Sequence, residues 1–338
     1  MTPHYHRYGG VDIAAKTFVA TWAFDPATTP KPVSFAQTEG GFTAFREQLG
    51  ATGVAPNATL VVMEATGSYW VALAIALHQA HDVVSVLNPR QVALFARSLP
   101  RRSKTDALDA QLLVRFAAER QPAPWIPPEQ VYHELRQRLV VRDGLLHMRT
   151  HAKNQRHALP QWPVRIASAL EALDTVIADL NAQVASLERE IAEVLRDGAW
   201  ASSARVLLTA PGVGLVTTGW LLVGTLNFTI AQSPEQLTAY VGLAPLERQS
   251  GTSLRGRAQI GHAGNGRLRT ALYMATLAAA RYNPSLRTFY QRLRAAGKPT
   301  KVARCATARK LLHLAWAMVK QQEPYRAPAP EQLEQQAV

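Results

Sequence analysis

Residues 58–70 read ATLVVMEATGSYW. Leu60 to Met63 form an uninterrupted apolar run of strand length, which suits a strand covered on both faces. Glu64 closes that strand, and Ala65-Thr66-Gly67-Ser68 turns the chain into a predicted helix from Tyr69 to Gln79. In open α/β sheets the carboxyl ends of central strands are where sites are built. Glu64 is therefore either a surface residue at a strand end or one member of such a site.

Working outward, residues 9–24 read GGVDIAAKTFVATWAF and predict two strands, Arg7 to Ile13 and Thr17 to Phe24, joined by a short connection. Asp12 sits within the first, apolar strand, where an unpaired charge is costly to bury. Either it lies at an edge facing water or it does chemistry. A third strand and a helix follow over 35–49, and DVVSVLNP at 82–89 reads as another short buried strand, with Pro89 opening a helix that runs to Ser98. The next stretch, RRSKTDALDAQLLVRF at 101–116, places Asp106 and Asp109 three residues apart. Leu108, Leu112, Leu113 and Phe116 recur there at helical spacing. Residues three apart share a helix face, so both carboxylates can aim at one spot, with Arg101, Arg102 and Lys104 just ahead of them as a basic rim. The plainer reading makes Thr105 or Asp106 a helix cap and Asp109 a first-turn acid favoured by the helix dipole. Asp12, Glu64, Asp106 and Asp109 together, in a mixed α/β domain, suggest a ribonuclease-H-like site. There carboxylates hold two metal ions about 4 Å apart, which stabilise the entering and leaving oxygens of phosphodiester cleavage. Mg²⁺, with Mn²⁺ as a substitute, suits an all-oxygen set of this kind.

The whole chain fits a polyanionic partner. It has 338 residues, 37 Lys and Arg against 24 Asp and Glu, and a formal charge of +13, which points to nucleic acid. Apolar residues make up 47 %, enough for more than one globular domain. The lone cysteine, Cys305, excludes an internal disulfide and suits a reducing cytoplasm. No apolar run approaches the roughly 20 residues of a membrane span, and the N-terminus MTPHYHRYGG lacks the apolar core of a signal peptide. The expected setting is therefore cytoplasmic, beside the nucleoid, with no membrane.

Pro-rich QPAPWIPP at 121–128 marks a boundary. Beyond it a long helical region spans 129–197, interrupted near Leu159 to Pro163. Apolar positions 170, 173, 177, 180, 184, 187, 191 and 194 alternate steps of three and four, a coiled-coil or helical-hairpin pattern. It is open to packing within the chain or between two copies. Arg136, Arg138, Arg142, Arg149, Lys153 and Arg156 crowd the preceding helix, and the global charge favours phosphate as their partner. VLLTAPGVGLVTTGWLLVG at 206–224 places Gly212 and Gly214 between two apolar helices. This is either a helix-hairpin-helix whose backbone N–H groups meet a phosphate or a tight packing turn. Ser233 is expected to cap a helix ending at Gly242. LERQSGTSLRGRAQIGHAGNGRLRTAL at 246–272 has no apolar periodicity before Leu268 and reads as a long loop. Ser250 and Ser253 lie in it among Arg248, Arg255, Arg257, Arg267 and Arg269. Such a loop binds nucleic acid, or its arginines hold a phosphate beside a serine nucleophile. Helices over 268–282 and 302–321 close the domain, and the tail from Glu323 is expected to be disordered.

GVDIAAK, MEATGSYW, LNPRQVALFARS and KTDALDAQLL, with APGVG, YVGLAPLERQSG, GHAGNGRLRTAL and ARKLLHLAWAM in the second half, resemble the IS-one-ten family of insertion-sequence transposases, also called bridge recombinases. The resemblance covers about residues 8–320. It implies a RuvC-like, ribonuclease-H-fold domain over 1–122, a helical coiled-coil and oligomerisation region over 123–200, a mainly helical transposase domain over 201–322, and a tail over 323–338. It implies an Asp-Glu-Asp-Asp metal site at Asp12, Glu64, Asp106 and Asp109. It also implies a serine that forms a covalent phosphoserine link, matched here by Ser250 with Ser253 in reserve. A structured guide RNA that pairs with donor and target DNA is implied, as is a dimer assembling to a tetramer, with sites that combine acids of one protomer and the serine of another. Two readings stand beside it: a RuvC-like, Mg²⁺-dependent nuclease that uses water, and a non-catalytic nucleic-acid-binding protein.

Overall fold

The computed structural model describes residues 5–99, 105–250, 254–261 and 263–329, with backbone alone over 247–250 and 254–258. The chain divides into two units, Met1–Pro127 and Pro128–Val338, close to the predicted break at 121–128.

In the first unit a five-stranded sheet is built from β1 (Arg7–Ile13), β2 (Thr17–Ala23), β3 (Val33–Ala36), β4 (Thr59–Glu64) and β5 (Val83–Leu87). Their order is β3-β2-β1-β4-β5. β1, β4 and β5 run parallel, and β2 is antiparallel to both of its neighbours. The parallel strands need helical crossovers, supplied by α1 (Glu39–Gly50), α2 (Trp70–Gln79), α3 (Pro89–Arg97) and α4 (Asp106–Arg120). Side-chain alternation sorts β1 and β4 between two cores. Val11, Val61 and Met63 pack with Phe42, Phe45 and Leu73, whereas Tyr8, Leu60 and Val62 pack with Phe95, Leu112 and Leu113. The apolar run Leu60 to Met63 is fully buried because helices cover both faces, as a central parallel strand requires.

Arg7 is 1 % exposed. Its guanidinium donates to Thr59 Oγ1 from Nε (3.1 Å) and Nη2 (2.8 Å), and to Leu49 O and Thr52 Oγ1 from Nη1. Asp82, 7 % exposed, feels the Arg7 charge and lies 3.8 Å from Arg46 Nε. Burial outweighs Arg46, Arg7 and His81 and raises the Asp82 carboxyl to about 6. A carboxyl whose folded pKa exceeds its unfolded value holds its proton more tightly in the native state. Its contribution to stability is present below about pH 4 and is lost as pH rises toward 6. Asp82→Asn should therefore flatten the fall in unfolding free energy, measured by urea titration, between pH 4 and pH 7, by an amount on the order of 2 kcal/mol. An unchanged pH difference would show that Asp82 does not carry it.

The second unit starts with α5 (Gln130–Ala158) and α6 (Ala167–Asp197), an antiparallel hairpin within one chain. The seam positions 184 and 191 are buried. Four of the six basic residues crowded on α5 find partners across the hairpin, where charge alone had favoured phosphate. Arg138 bonds Glu190 (2.9 Å), Arg142 bonds Glu188 (2.6 Å), Arg149 bonds Asn181 (2.9 Å), and Arg156 bonds Asp174 (Nη2 to Oδ2, 3.0 Å). The acids of α6 are in reach because the hairpin folds back, which spacing along α5 does not reveal.

The hairpin root is also not a separate linker. Val131, Leu135, Leu139, Ile191 and Leu195 join one core with Trp220, Leu222, Leu272 and Leu311. That core gathers α7 (Ala201–Leu208), α8 (Leu215–Thr225), α9 (Pro234–Val241), α10 (Gly266–Tyr282), α11 (Pro284–Ala295) and α12 (Thr300–Gln321). Ser233 caps α9 by accepting from Gln236 N, and Gly242 ends it. The segment expected as a long loop holds β6 (Pro245–Ser250) and β7 (Leu254–Ile260), an antiparallel hairpin with a register shift between Leu246 and Arg248. A lone hairpin rests on backbone pairing and turn geometry, so the apolar alternation of a half-buried sheet is missing from its sequence. α11 was also not foreseen, although Asn283 accepting from Leu286 N, followed by Pro284, is a readable start signal. The tail is tied down further than expected: Tyr325 donates from its hydroxyl to Asn283 Oδ1 (3.1 Å) and from its N–H to Thr209 Oγ1 (2.8 Å).

Candidate active site

Asp12 and Glu64 leave the sheet side by side. The last registered pair of the two parallel strands is Val11 with Met63, and each acid is the next residue. Alternation puts Asp12 on the face of Tyr8 and Gly10, and Glu64 on the face of Leu60 and Val62, which is the face covered by α3 and α4. Gly10 sets how closely α4 approaches. A Cβ there would stand 2.1 Å from Ala110 O and 2.7 Å from Val114 N, so only glycine lets the helix backbone lie on β1. The crossing falls at Ala110, immediately after Asp109. Thr105 starts α4 by accepting from Leu108 N (3.3 Å), so the capping reading holds for Thr105 while Asp106 and Asp109 occupy the first turn. The cap thus falls to Thr105, and both aspartates are left to line the cavity beside it.

All four acids line one cavity of about 1010 Å³, with Thr66, Pro89, Ala93, Arg97 and Leu113 among its other walls. Their charges are felt together at Asp12. Burial first, and then Asp106, Asp109 and Glu64, raise its carboxyl to about 6, against the opposing backbone N–H of Ile13. Glu64 Oε1 accepts from Thr66 Oγ1 (2.9 Å), which fixes its rotamer from the turn that follows its strand. Among the described residues no group of three or more His, Cys, Asp or Glu forms a preformed metal cage. The acids therefore share a cavity and a field without closing on a single point. The all-carboxylate donor set beside an open cavity suits Mg²⁺, which would take one or two of these carboxylates and leave its remaining positions to water and substrate phosphate. A cation among mutually repelling carboxylates also relieves the field that raises Asp12.

The basic residues expected around the chemistry are distributed unevenly. Arg101, Arg102, Lys104 and Ser253 lie outside the described residues. Ser250 ends β6 and pairs across the hairpin with Leu254; for it, and for Arg248, Arg255 and Arg257, the backbone alone is described. Arg267 stacks 5.6 Å over Trp220 and lies 3.8 Å from Asp143. Arg269 donates to Val241 O (3.1 Å) and Ala263 O (3.0 Å), so it ties two turns together. Gly212, at φ +95°, has the Ala279 backbone 2.5 Å from the site of a Cβ. The glycine turn is thus pressed onto α10, which is the packing reading; the space around Gly214 is open. Sequence reasoning missed Gly10, Thr66 and Arg97. Gly10 was visible only as a glycine in a strand, a residue that marks close backbone approach.

The first unit is thus an α/β sheet covered by helices on both faces with four carboxylates lining one cavity, joined in sequence to a mainly helical unit. Two transposase family models match the chain: a DEDD transposase model of the IS110 group over residues 9–162 and the transposase IS116/IS110/IS902 family over residues 204–291. The pilin gene-inverting proteins of Moraxella bovis and Moraxella lacunata are each 31 % identical over 329 residues, 94 % of this chain and 97 % of theirs. An uncharacterized 43.6 kDa protein of insertion element IS110 from Streptomyces coelicolor is 34 % identical over 129 residues, covering 38 % of this chain and 32 % of its own. The chain belongs to the IS110 family of transposases. Among the described residues no helix is long and apolar enough to cross a membrane.

Proposed function

We propose that this chain is the transposase of an insertion sequence, cutting and rejoining DNA at a RuvC-like site formed by Asp12, Glu64, Asp106 and Asp109. The observation that carries the reading is the convergence of these four acids on one cavity in a chain of net charge +13. The full-length similarity to proteins named for gene inversion supports rearrangement rather than simple degradation.

Asp12 and Glu64 are held by the sheet, and Asp106 with Asp109 by the first turn of α4, so the donors are positioned before substrate arrives. Asp12, Glu64, Asp106 and Asp109 would hold Mg²⁺, or Mn²⁺ in its place, and the ion would supply charge to neutralise a scissile phosphate and to ease deprotonation of a hydroxyl. Arg97 on the cavity wall meets the phosphate with a fixed positive charge. Ser250 Oγ forms an ester bond to phosphorus as the bond to the departing deoxyribose oxygen breaks. The serine proton leaves and the departing oxygen takes one up, giving a phosphoserine that a second strand's hydroxyl reverses. Donor and target DNA are selected by a structured guide RNA of the element, and the enzyme works as a homo-oligomer, a dimer assembling to a tetramer.

Strand cleavage at the element's own ends tests the acidic site. With Mg²⁺, Asp109→Ala should lose cleavage by roughly a thousandfold, about 4 kcal/mol of barrier, while binding the same DNA. Chelation should do the same to the wild type. Full cleavage by Asp109→Ala would sink the metal-site reading.

A further inference from the structure

The second unit holds a cavity of about 710 Å³ unrelated to the four acids. Its apolar floor is made by Leu243, Ile260, Cys305 and Ala306, with Phe289 on one side and half-exposed Val302 at its edge. Its rim carries Lys301, Arg309, Lys310 and His313, and no carboxylate lines it among the described residues. Positions 302, 305, 306, 309, 310 and 313 recur at helical spacing, so one whole face of α12 is given to this wall. Lys310 Nζ stands 4.7 Å over the Phe289 ring and Arg292 5.6 Å from it, which fixes positive charge in an aromatic wall. His313 Nε2 is hydrogen-bonded to Thr238 Oγ1 (2.7 Å), and Glu235 on α9 is the acid that faces His313 and Arg309.

An apolar slot rimmed by cations accepts a flat, weakly polar group attached to an anion, which is the chemistry of a nucleotide. Its place in the fold selects the source. Pro245 and Ile260, paired at the root of the β6–β7 hairpin, line the cavity, and Ser250 is five residues farther along β6, roughly 16 Å at strand rise. A strand lying along the hairpin toward Ser250 would pass the slot at its root.

We propose that this cavity receives one unstacked nucleotide of the DNA strand that Ser250 attacks, with its base on the apolar floor beside Phe289 and its flanking phosphates on Lys301, Arg309 and Lys310. The inference rests on the reading of Ser250 as nucleophile. Holding one base out of the stack there fixes the register of the strand, since an extruded base enters a pocket only at a set distance from the cut.

The test uses the full-length protein and DNA of the element's terminus carrying 2-aminopurine at successive positions, together with alkylation of Cys305, the chain's lone cysteine, by N-ethylmaleimide. A several-fold rise in 2-aminopurine emission is expected at one position near the cut, and the same DNA should slow Cys305 alkylation. Ala306→Trp, which fills the slot, should abolish both. Arg309→Gln should keep the emission maximum and weaken binding, with a salt slope shallower by roughly one. If 2-aminopurine stays quenched at every position while the wild type forms a covalent adduct with that DNA, the slot proposal falls and the serine reading survives. Emission and protection that appear without any adduct support the slot and remove the serine reading. Protection by guide RNA but not by DNA overturns the proposal.

Discussion

Gly10→Val should leave the first unit unable to fold stably, a loss of at least about 3 kcal/mol. The nearest atoms to a new Cβ are the carbonyl oxygen of Ala110 and the amide nitrogen of Val114, at 2.1 and 2.7 Å. Backbone cannot rotate away as a flexible side chain would, so α4 must lift off β1. That lift exposes Leu112, Leu113, Val114 and Ala117, all buried beneath the helix. Gly10→Ala is the informative variant. It forces the same separation with less volume, and any shift of α4 displaces Asp109, one residue from the crossing, relative to Asp12. Displacements near 1 Å can cost roughly a hundredfold in rate. Cleavage should therefore fall by more than the folded fraction measured by urea titration. Normal cleavage by a folded Gly10→Ala protein would mean that the approach of α4 does not set the site.

Asp12→Asn should abolish cleavage while leaving the metal-free protein at least as stable as the wild type. Four carboxylates facing one cavity repel one another, and burial adds to the penalty at Asp12, whose pKa is raised to about 6. The amide keeps the shape and removes one of the four charges. Sites of this kind hold a configuration that is unfavourable for folding and productive for chemistry. Urea midpoints in EDTA at pH 7 and a cleavage assay in Mg²⁺ check the two halves separately. A marked loss of stability would give Asp12 a structural role instead.

The sheet was legible because its strands obey simple rules. Leu60 to Met63 is apolar throughout since both faces are covered, and β1 falls at the predicted Arg7–Ile13. That the four acids share one cavity was legible from their positions: two at the ends of neighbouring strands and two in a first helical turn. Legibility failed where the deciding partner is distant in sequence. The α5 arginines find their acids only once α6 folds back, at Glu188 and Glu190. Gly212 is explained by Ala279, 67 positions later by residue number, packed against it. The sequence of the β6–β7 hairpin lacks apolar alternation and so reads as loop. Even the closeness of Asp12 to α4 depends on the absence of a side chain at Gly10, which spacing does not signal.

The most direct measurement is for a covalent protein–DNA adduct in cells that express the protein with its element's flanking sequences, so that guide and DNA ends are both present. Denatured lysates of wild type, Ser250→Ala, Ser253→Ala and Asp109→Ala would be compared. The account predicts an adduct in the wild type and in Ser253→Ala, and none in Ser250→Ala or Asp109→Ala. Cut DNA with free ends and no adduct in any sample would contradict it and assign the four acids to a nuclease that uses water.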